Sequence, residues 1–286
     1  MSQIVINGLL LGANYALLGL GYTLVFGVMR LLTLAHGEVF MAAGLAAVMV
    51  ATSSTPVWAV AAGAVVTGAV LSAATDLVSF RPVGYNRPVA AAVSTIGFGV
   101  VIHETAKRIR GSETSVALPI SLSRTDFEIG GLMISTTQLA SLVIAAVVLT
   151  ATHLFVRRTR WGTAMRAFAH DPEVVALLGV PVRRLTLGTL AIAGALAGLA
   201  SFLLALRIGS VSPLAGLDVG LKGLAIMTIG GLGSFGGAVV AGLILGLVEA
   251  FAAYRGLLGF QWAAPWIVLI VVLLVRPQGL VREPGA

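Results

Sequence analysis

Apolar residues run along this chain in long stretches broken by short polar interruptions, at about 4–28, 36–53, 57–79, 89–108, 137–156, 186–206, 218–231, 237–253 and 260–276. A helix needs ~20 apolar residues to cross the hydrocarbon core of a bilayer. Strands of a membrane barrel would instead alternate apolar and polar residues in segments of ~10, and these runs are too long for that. The pattern predicts an all-α, polytopic transmembrane helical bundle of about eight or nine spans, forming a single domain over 1–286. The eighth stretch, and especially the seventh, is short. Both are expected to be half-spans or re-entrant pieces, where glycine-broken backbone is tolerated beside a cavity.

One polar interruption does more than connect two spans. It runs from Arg157 to Arg184 and carries six arginines, most of them near the flanking spans. Basic residues close to span ends resist translocation, which places this segment in the cytoplasm. Inside it the residues spell a short, delimited helix. Asp171 can cap it, Pro172 suits its first position, Gly179 can end it in a left-handed conformation, and Pro181 prevents its continuation. Val174, Val175, Leu177 and Leu178 make it sticky, and Glu173 suits its N-terminal dipole. Such a helix fits either a peg for a partner's groove or an element lying on the lipid surface.

The same charge rule puts Arg30, Arg81, Arg87, Arg276 and Arg282 inside, and with nine passes the N-terminus outside. Lys107–Arg110 conflicts with this. It opens the longest polar loop, up to about Gln138, on the outer side, although Glu113, Asp126 and Glu128 dilute its charge.

Composition agrees with a membrane protein. The chain is 58% hydrophobic and 10% charged, with mean hydropathy +1.03, where a soluble domain carries about a quarter charged residues. The net charge of +7 is assigned to topology and anionic membrane lipid rather than to nucleic acid, because most of the arginines sit at span ends. Cysteine is absent, which excludes disulfides, thiolate metal sites and thiol nucleophiles. No basic segment precedes the first apolar run, which is therefore expected to remain as a span.

Several constellations carry chemistry or packing. Thr33 to Glu38 places His36, Gly37 and Glu38 at the start of a span, where ionisable groups must face protein or water. A broken helix lining a path and a solvated turn both fit. Gly230-Gly231-Leu232-Gly233-Ser234-Phe235-Gly236-Gly237 holds five glycines in eight residues. It lacks the Lys-Ser/Thr pair of a phosphate-binding loop, so a tight inter-helix turn or discontinuous helix is expected. Gly8/Gly12, Gly194/Gly198, Gly216/Gly220 and Gly242/Gly246 are spaced for close helix approach. His103-Glu104 begins like a zinc-protease helix, but Lys107 stands where the second histidine belongs, so no metal site is expected. Asp76 is near Arg81 and suits pairing with it, and Glu249 reads as interfacial. No nucleophile and base are spaced for catalysis.

Taken in order, these motifs resemble the permeases of branched-chain amino-acid ABC transporters, specifically the LivH-type subunit. Asn7-Gly8-Leu9, Gly12, Tyr15-Ala16-Leu17 and Gly19-Leu20-Gly21-Tyr22-Thr23 look like the opening motif of that family. Ala35-His36-Gly37-Glu38 resembles its Asn-Phe-Ala-His-Gly element, with Thr33-Leu34 in place of Asn-Phe. Gly162 to Gly179 looks like the ABC-permease coupling motif, with Arg166-Ala167, Asp171, Ala176 and Gly179 in matching places. Gly230 to Gly246 and Arg276-Pro277-Gln278-Gly279-Leu280 match later signatures.

The resemblance implies a non-enzymatic subunit of an ATP-driven importer in a bacterial inner membrane. Its implied partners are a second, LivM-like permease subunit, two cytoplasmic ATP-binding subunits and an extracytoplasmic substrate-binding protein. ATP binds those partner subunits, and no cofactor is expected on this chain. Arg166, Asp171, Pro172, Glu173, Ala176, Leu177 and Gly179 are the implied ATPase-coupling residues. Asn7, Tyr15, His36, Gly37, Glu38, Gly230, Gly231, Gly233 and Ser234 are candidates for the substrate pathway. The change at Thr33-Leu34 leaves branched-chain amino acids, other amino acids, and urea or short amides open as substrates.

Overall fold

Twelve helices in chain order account for most of the described residues, in a computed structural model that describes 2–52, 54–110, 114–119, 126–129, 132–256 and 258–281. They are α1 (Ser2–Met29), α2 (His36–Val50), α3 (Val57–Thr75), α4 (Arg81–Val83), α5 (Pro88–Arg110), α6 (Thr136–Arg158), α7 (Arg160–His170), α8 (Pro172–Leu177), α9 (Val182–Ile208), α10 (Ala215–Gly230), α11 (Phe235–Tyr254) and α12 (Leu258–Val275). A π-helical turn, Asp76–Phe80, joins α3 to α4. Four short strands complete the order: β1 (Val116–Ala117), β2 (Asp126–Ile129), β3 (Leu132–Ser135) and β4 (Ser210–Val211). β1 pairs antiparallel with β4 and β2 with β3. The apolar stretches thus become helices, and the long polar loop holds three of the four strands.

Among the described residues, six helical segments are long and apolar enough to cross a membrane: Gln3–Met29, Val57–Val83, Pro88–Ile109, Thr136–Arg158, Val182–Ile208 and Phe235–Tyr254. His36–Val50 and Trp262–Val275 are shorter apolar helices. The seventh apolar stretch becomes the 16-residue α10, as its shortness predicts. The eighth becomes the 20-residue α11, a full-length span rather than a half-span. The second stretch, which reads as an ordinary span, is instead the 15-residue α2.

α1 and α9 form the centre, with 67% of their apolar windows buried, against 22% for α3, α5 and α6. The outer three therefore face lipid or another subunit. Lipid supplies no hydrophobic drive between helices, so close contact depends on small residues. All four glycine pairs are used this way. Gly8 and Gly12 meet Leu247 and Leu243 of α11, and Gly242 and Gly246 meet Ala16 and Gly12 in return. Gly194 and Gly198 of α9 meet Gly68 and Ala64 of α3, while Gly216 and Gly220 meet Glu38 and Gly37 of α2.

Several arginines near span ends gather at one end of the bundle, while Arg207 and Arg255 lie at the other ends of α9 and α11. Arg30, Arg157 and Arg166 line one small cavity there, and Arg81 reaches the Arg183 carbonyl oxygen. Lys107–Arg110 leads to the opposite end, where Leu118 donates to the Gly209 carbonyl beyond α9. The conflict within the charge rule therefore stands in three dimensions too. Arg282 lies outside the described residues.

Candidate functional site: an interrupted helix pair and a capped end helix

α1 ends at Met29, and Arg30 takes a left-handed φ of 54°. The next residues leave the helix and run back into the bundle. Leu34 N–H donates to Thr95 Oγ1 of α5 at 3.0 Å, which fastens this return. α2 then begins beside Gly21 and Tyr22. Gly21 is eight residues before Met29, or about 12 Å of helix, so α2 starts deep within the bundle. His36 is 1% exposed and meets the Tyr22 ring edge-on at 4.6 Å. Neither of its ring nitrogens has a hydrogen-bond partner among the described residues. Of the two readings open for Thr33 to Glu38, the broken element inside the bundle is the one observed.

α10 meets this break from the other side. Its start packs so closely that a Cβ at Gly37 would strike the backbone of Gly216 and Gly220. A Cβ at Gly216 would lie 2.6 Å from Glu38 Cδ. Glu38 Oε2 is 3.1 Å from His103 Nδ1 of α5, and its side chain is 13% exposed. Beside this pair is a cavity of about 500 Å³ lined by residues of α1, α2, α5 and α10 and by Leu34. Its polar groups are Tyr22, Glu38, His103 and Glu104, and its apolar wall includes Leu34, Ile96, Val100, Leu217 and Leu221.

The other sequence candidates are dispersed. Asn7 is half-buried towards the far end of α1. Tyr15 belongs to a separate buried cluster, where its hydroxyl donates to Glu249 Oε2 at 2.7 Å. Lys222 Nζ is 2.8 Å from Glu249 Oε1 and 3.1 Å from Tyr15 Oη. It also lies over the rings of Tyr15 and Trp262. Arg207 of α9 is within electrostatic reach of Glu249. Glu249 is 1% exposed, so it is a buried ion-pair partner rather than a solvated end group. The missed signal was Lys222, a cation inside an apolar run, since such a group in hydrocarbon needs a counter-charge.

Gly230, Gly231, Gly233 and Ser234 lie at the arginine-rich end rather than beside the His36 break. Gly233 and Arg166 line the same small cavity there. Gly231 and Gly233 take φ of +105° and +85°, which accounts for glycine at both. Ser234 Oγ accepts from Gly237 N–H and caps α11. Leu280 and Val281 N–H donate to the Ile229 and Gly230 carbonyls, closing the turn with the tail. The five-glycine run is therefore a tight inter-helix turn. Gly233→Leu is expected to destabilise the fold by about 1–3 kcal/mol, because it forces a branched side chain into the left-handed region. Its Cβ would meet Gly27 Cα at 3.4 Å, an ordinary contact, so the strain lies in the backbone. Thermal unfolding in detergent reads this, and wild-type melting would refute it.

At the same end α7 and α8 form the polar segment. Thr159 caps α7 by accepting from Gly162 N–H at 3.0 Å, and Gly162, Met165 and Phe168 face inwards. Arg166 donates to the Val156 carbonyl near the end of α6, so it ties α7 to α6. Asp171 Oδ1 accepts from Glu173 and Val174 N–H at 2.9 and 3.0 Å. Pro172 occupies the first turn of α8. Gly179 has φ +80°, with Gly179 N–H on the Ala176 carbonyl and Val180 N–H on the Val175 carbonyl. Val175 anchors α8 inwards at 2% exposed, while Leu177 and Leu178 project at 86% and 75%. Glu173 and Ala176 are exposed beside them. Behind this segment, Asp76 accepts from Arg81 Nε at 2.8 Å and from Tyr85 Oη at 2.7 Å, as the sequence spacing of Asp76 and Arg81 predicts. Burial pushes the Tyr85 phenol above its ordinary value, so it remains a donor.

Comparison with known proteins covers the whole of this architecture. A family described as "Branched-chain amino acid transport system / permease component" matches residues 4–275. The chain is 33% identical over 296 residues to the high-affinity branched-chain amino acid transport system permease protein LivH of Escherichia coli, covering 99% of this chain and 96% of that one. It is 32% identical to the corresponding BraD protein of Pseudomonas aeruginosa, with the same coverage. A fructose import permease protein, FrcC of Rhizobium meliloti, is 34% identical over 134 residues, 45% of this chain and 37% of that one. A chain in the solved structure of PsaBC from Streptococcus pneumoniae in complex with Fab superposes with a TM-score of 0.51 at 11% identity, over 97% of this chain and 92% of that chain, a likeness of fold alone. The nearly end-to-end match places this chain in the family of permease components of branched-chain amino acid transport systems.

Proposed function

We propose that the chain is the membrane-spanning permease subunit of an ATP-driven importer for branched-chain or related amino acids, resident in a bacterial inner membrane. An extracytoplasmic binding protein delivers substrate, and a second, LivM-like permease subunit completes the pathway. Two cytoplasmic ATP-binding subunits bind and hydrolyse ATP. Substrate and nucleotide then bias one opening equilibrium of the permease pair, each through its own differential affinity for the two states.

The observation that carries this reading is the relatedness over residues 4–275. The geometry of α8 supports the coupling part of it. A six-residue helix capped at both ends, anchored by Val175 and presenting Leu177 and Leu178, has the form of a peg for a groove in a motor subunit. Arg166, Asp171, Pro172, Glu173, Ala176, Leu177 and Gly179 are assigned to building and presenting it. His36, Gly37 and Glu38 are assigned to the pathway. Gly230, Gly231, Gly233 and Ser234 are reassigned to the turn beside α7, and Tyr15 to the buried ion cluster.

The test is uptake of labelled leucine, other amino acids, urea and short amides into vesicles holding this chain with its proposed partner subunits. ATP-dependent uptake of leucine-like amino acids that requires the binding protein is expected. Uptake confined to urea or amides would overturn the substrate. Uptake by this chain alone, without ATP, would overturn the importer reading in favour of a stand-alone transporter or channel.

A further inference from the structure

The cavity beside the α2 break has a chemistry that selects one end of a zwitterion. Beside the Tyr22 phenol, its charge-bearing lining among the described residues is Glu38, His103 and Glu104, two carboxylates and an imidazole, with neither lysine nor arginine. Glu38 is the inner of the two carboxylates. It is largely withdrawn from solvent, its described partner is His103, and the glycine at 216 lets α10 close over it. A buried carboxylate with one neutral-capable partner retains acceptor capacity for a second donor. The rest of the wall is aliphatic, with Leu34, Ile96, Val100, Leu217 and Leu221. At about 500 Å³ the space lies within the ordinary range of small-molecule sites.

We infer that this cavity is a substrate subsite in which Glu38, held by His103, accepts the ammonium group of the transported molecule while the α5–α10 wall takes an aliphatic side chain. The inference rests on the proposed function and narrows it. The ligand class is a primary ammonium carrying a short branched alkyl group. Urea, an uncharged amide or a sugar gains far less from an ionised carboxylate, because charge-assisted hydrogen bonds are about twice as strong as neutral ones. A carboxylate-only ligand is repelled. The open side of the cavity runs along Ile96, Val100 and Leu217, which are exposed on α5 and α10, and this is where a second permease subunit would complete the enclosure.

The absence of cysteine from the chain allows a direct test on the assembled transporter. Ile96→Cys places a single thiol in the wall, and its alkylation by a maleimide is followed on this chain. Leucine at about ten times its dissociation constant is expected to slow labelling about tenfold, by occupancy. Isoamylamine, which keeps the amine and the alkyl group, is expected to protect as well. 4-Methylpentanoate, which keeps the alkyl group and the carboxylate, is expected not to protect. Adding Glu38→Gln is expected to weaken protection by about ten- to a hundredfold, with Glu38→Asp retaining part of it.

Four outcomes overturn the inference in distinguishable ways. Protection by 4-methylpentanoate but not by isoamylamine would reverse the polarity of the subsite. Undiminished leucine protection in Glu38→Gln would remove Glu38 from recognition. Absence of leucine protection in a transporter that imports leucine would move the subsite elsewhere and leave the proposed function intact. Import confined to solutes without an amine would bring down both.

Discussion

Glu249→Ala is expected to cost about 3–5 kcal/mol of stability, because it leaves a buried cation without its partner. Lys222 Nζ is 2.8 Å from Glu249 Oε1, with side-chain exposures of 13% and 2%. Tyr15 closes the triangle and Arg207 adds positive charge on the α9 side. Removing the carboxylate strands Lys222 between α1, α11 and α12 and leaves Tyr15 without its acceptor. The pair itself need not add net stability, since desolvation of both ions offsets their attraction. Lys222→Met combined with Glu249→Met is therefore expected to recover most of the loss. Thermal unfolding of the wild type, Lys222→Met, Glu249→Met and the double variant in one detergent forms a double-mutant cycle. A double variant no more stable than Glu249→Ala would show that the pair is not the cause.

Leu177→Glu is expected to abolish ATP-driven uptake, by about thirtyfold or more, while the permease still inserts and folds. The side chain is 86% exposed on α8, so the change removes little packing within the chain. An apolar anchor lost from the centre of a protein interface costs about 2 kcal/mol or more, which is the stated factor in a binding constant. Asp171→Arg is expected to reach the same end by another route. It removes the two cap hydrogen bonds of α8, worth about 1 kcal/mol, and sets a positive charge against the helix N-terminus. Pull-down of the ATP-binding subunits and uptake, measured on the same vesicles, check both variants. Normal uptake in both would dismiss α8 as the coupling element.

Much of the bundle was legible in the residues because bilayers impose a simple rule. Backbone polar groups must be satisfied within each span, so apolar stretches of span length become helices. All nine stretches did so, with ends within a few residues of those read from the sequence. The glycine pairs were legible for a related reason, since four-residue spacing makes a stripe on any helix, and each pair lies at a helix crossing. The cap of α8 was legible because Asp171, Pro172 and Gly179 act on backbone two or three residues away. Residues acting at a distance were not. Glu249 read as interfacial because its partner Lys222 is 27 positions earlier on another helix, and Tyr15 lies 234 positions away. The five-glycine run read as a pathway candidate because glycine permits several backbone roles, and only its neighbours Gly27 and Leu280 fix which one it plays.

By itself the sequence determined a helical membrane protein, the places of its apolar helices and the capped helix among the arginines between α6 and α9. These follow from local composition and short-range backbone chemistry. Only the tertiary structure decided that the chain after Arg30 turns back into the bundle, so that α2 and α10 both start inside it and meet at Gly37 and Gly216. It also decided that Glu38 of α2 faces His103 of α5 beside an aliphatic wall. Those relations depend on how close two backbones can come, and that distance is set by the side chains of both helices together.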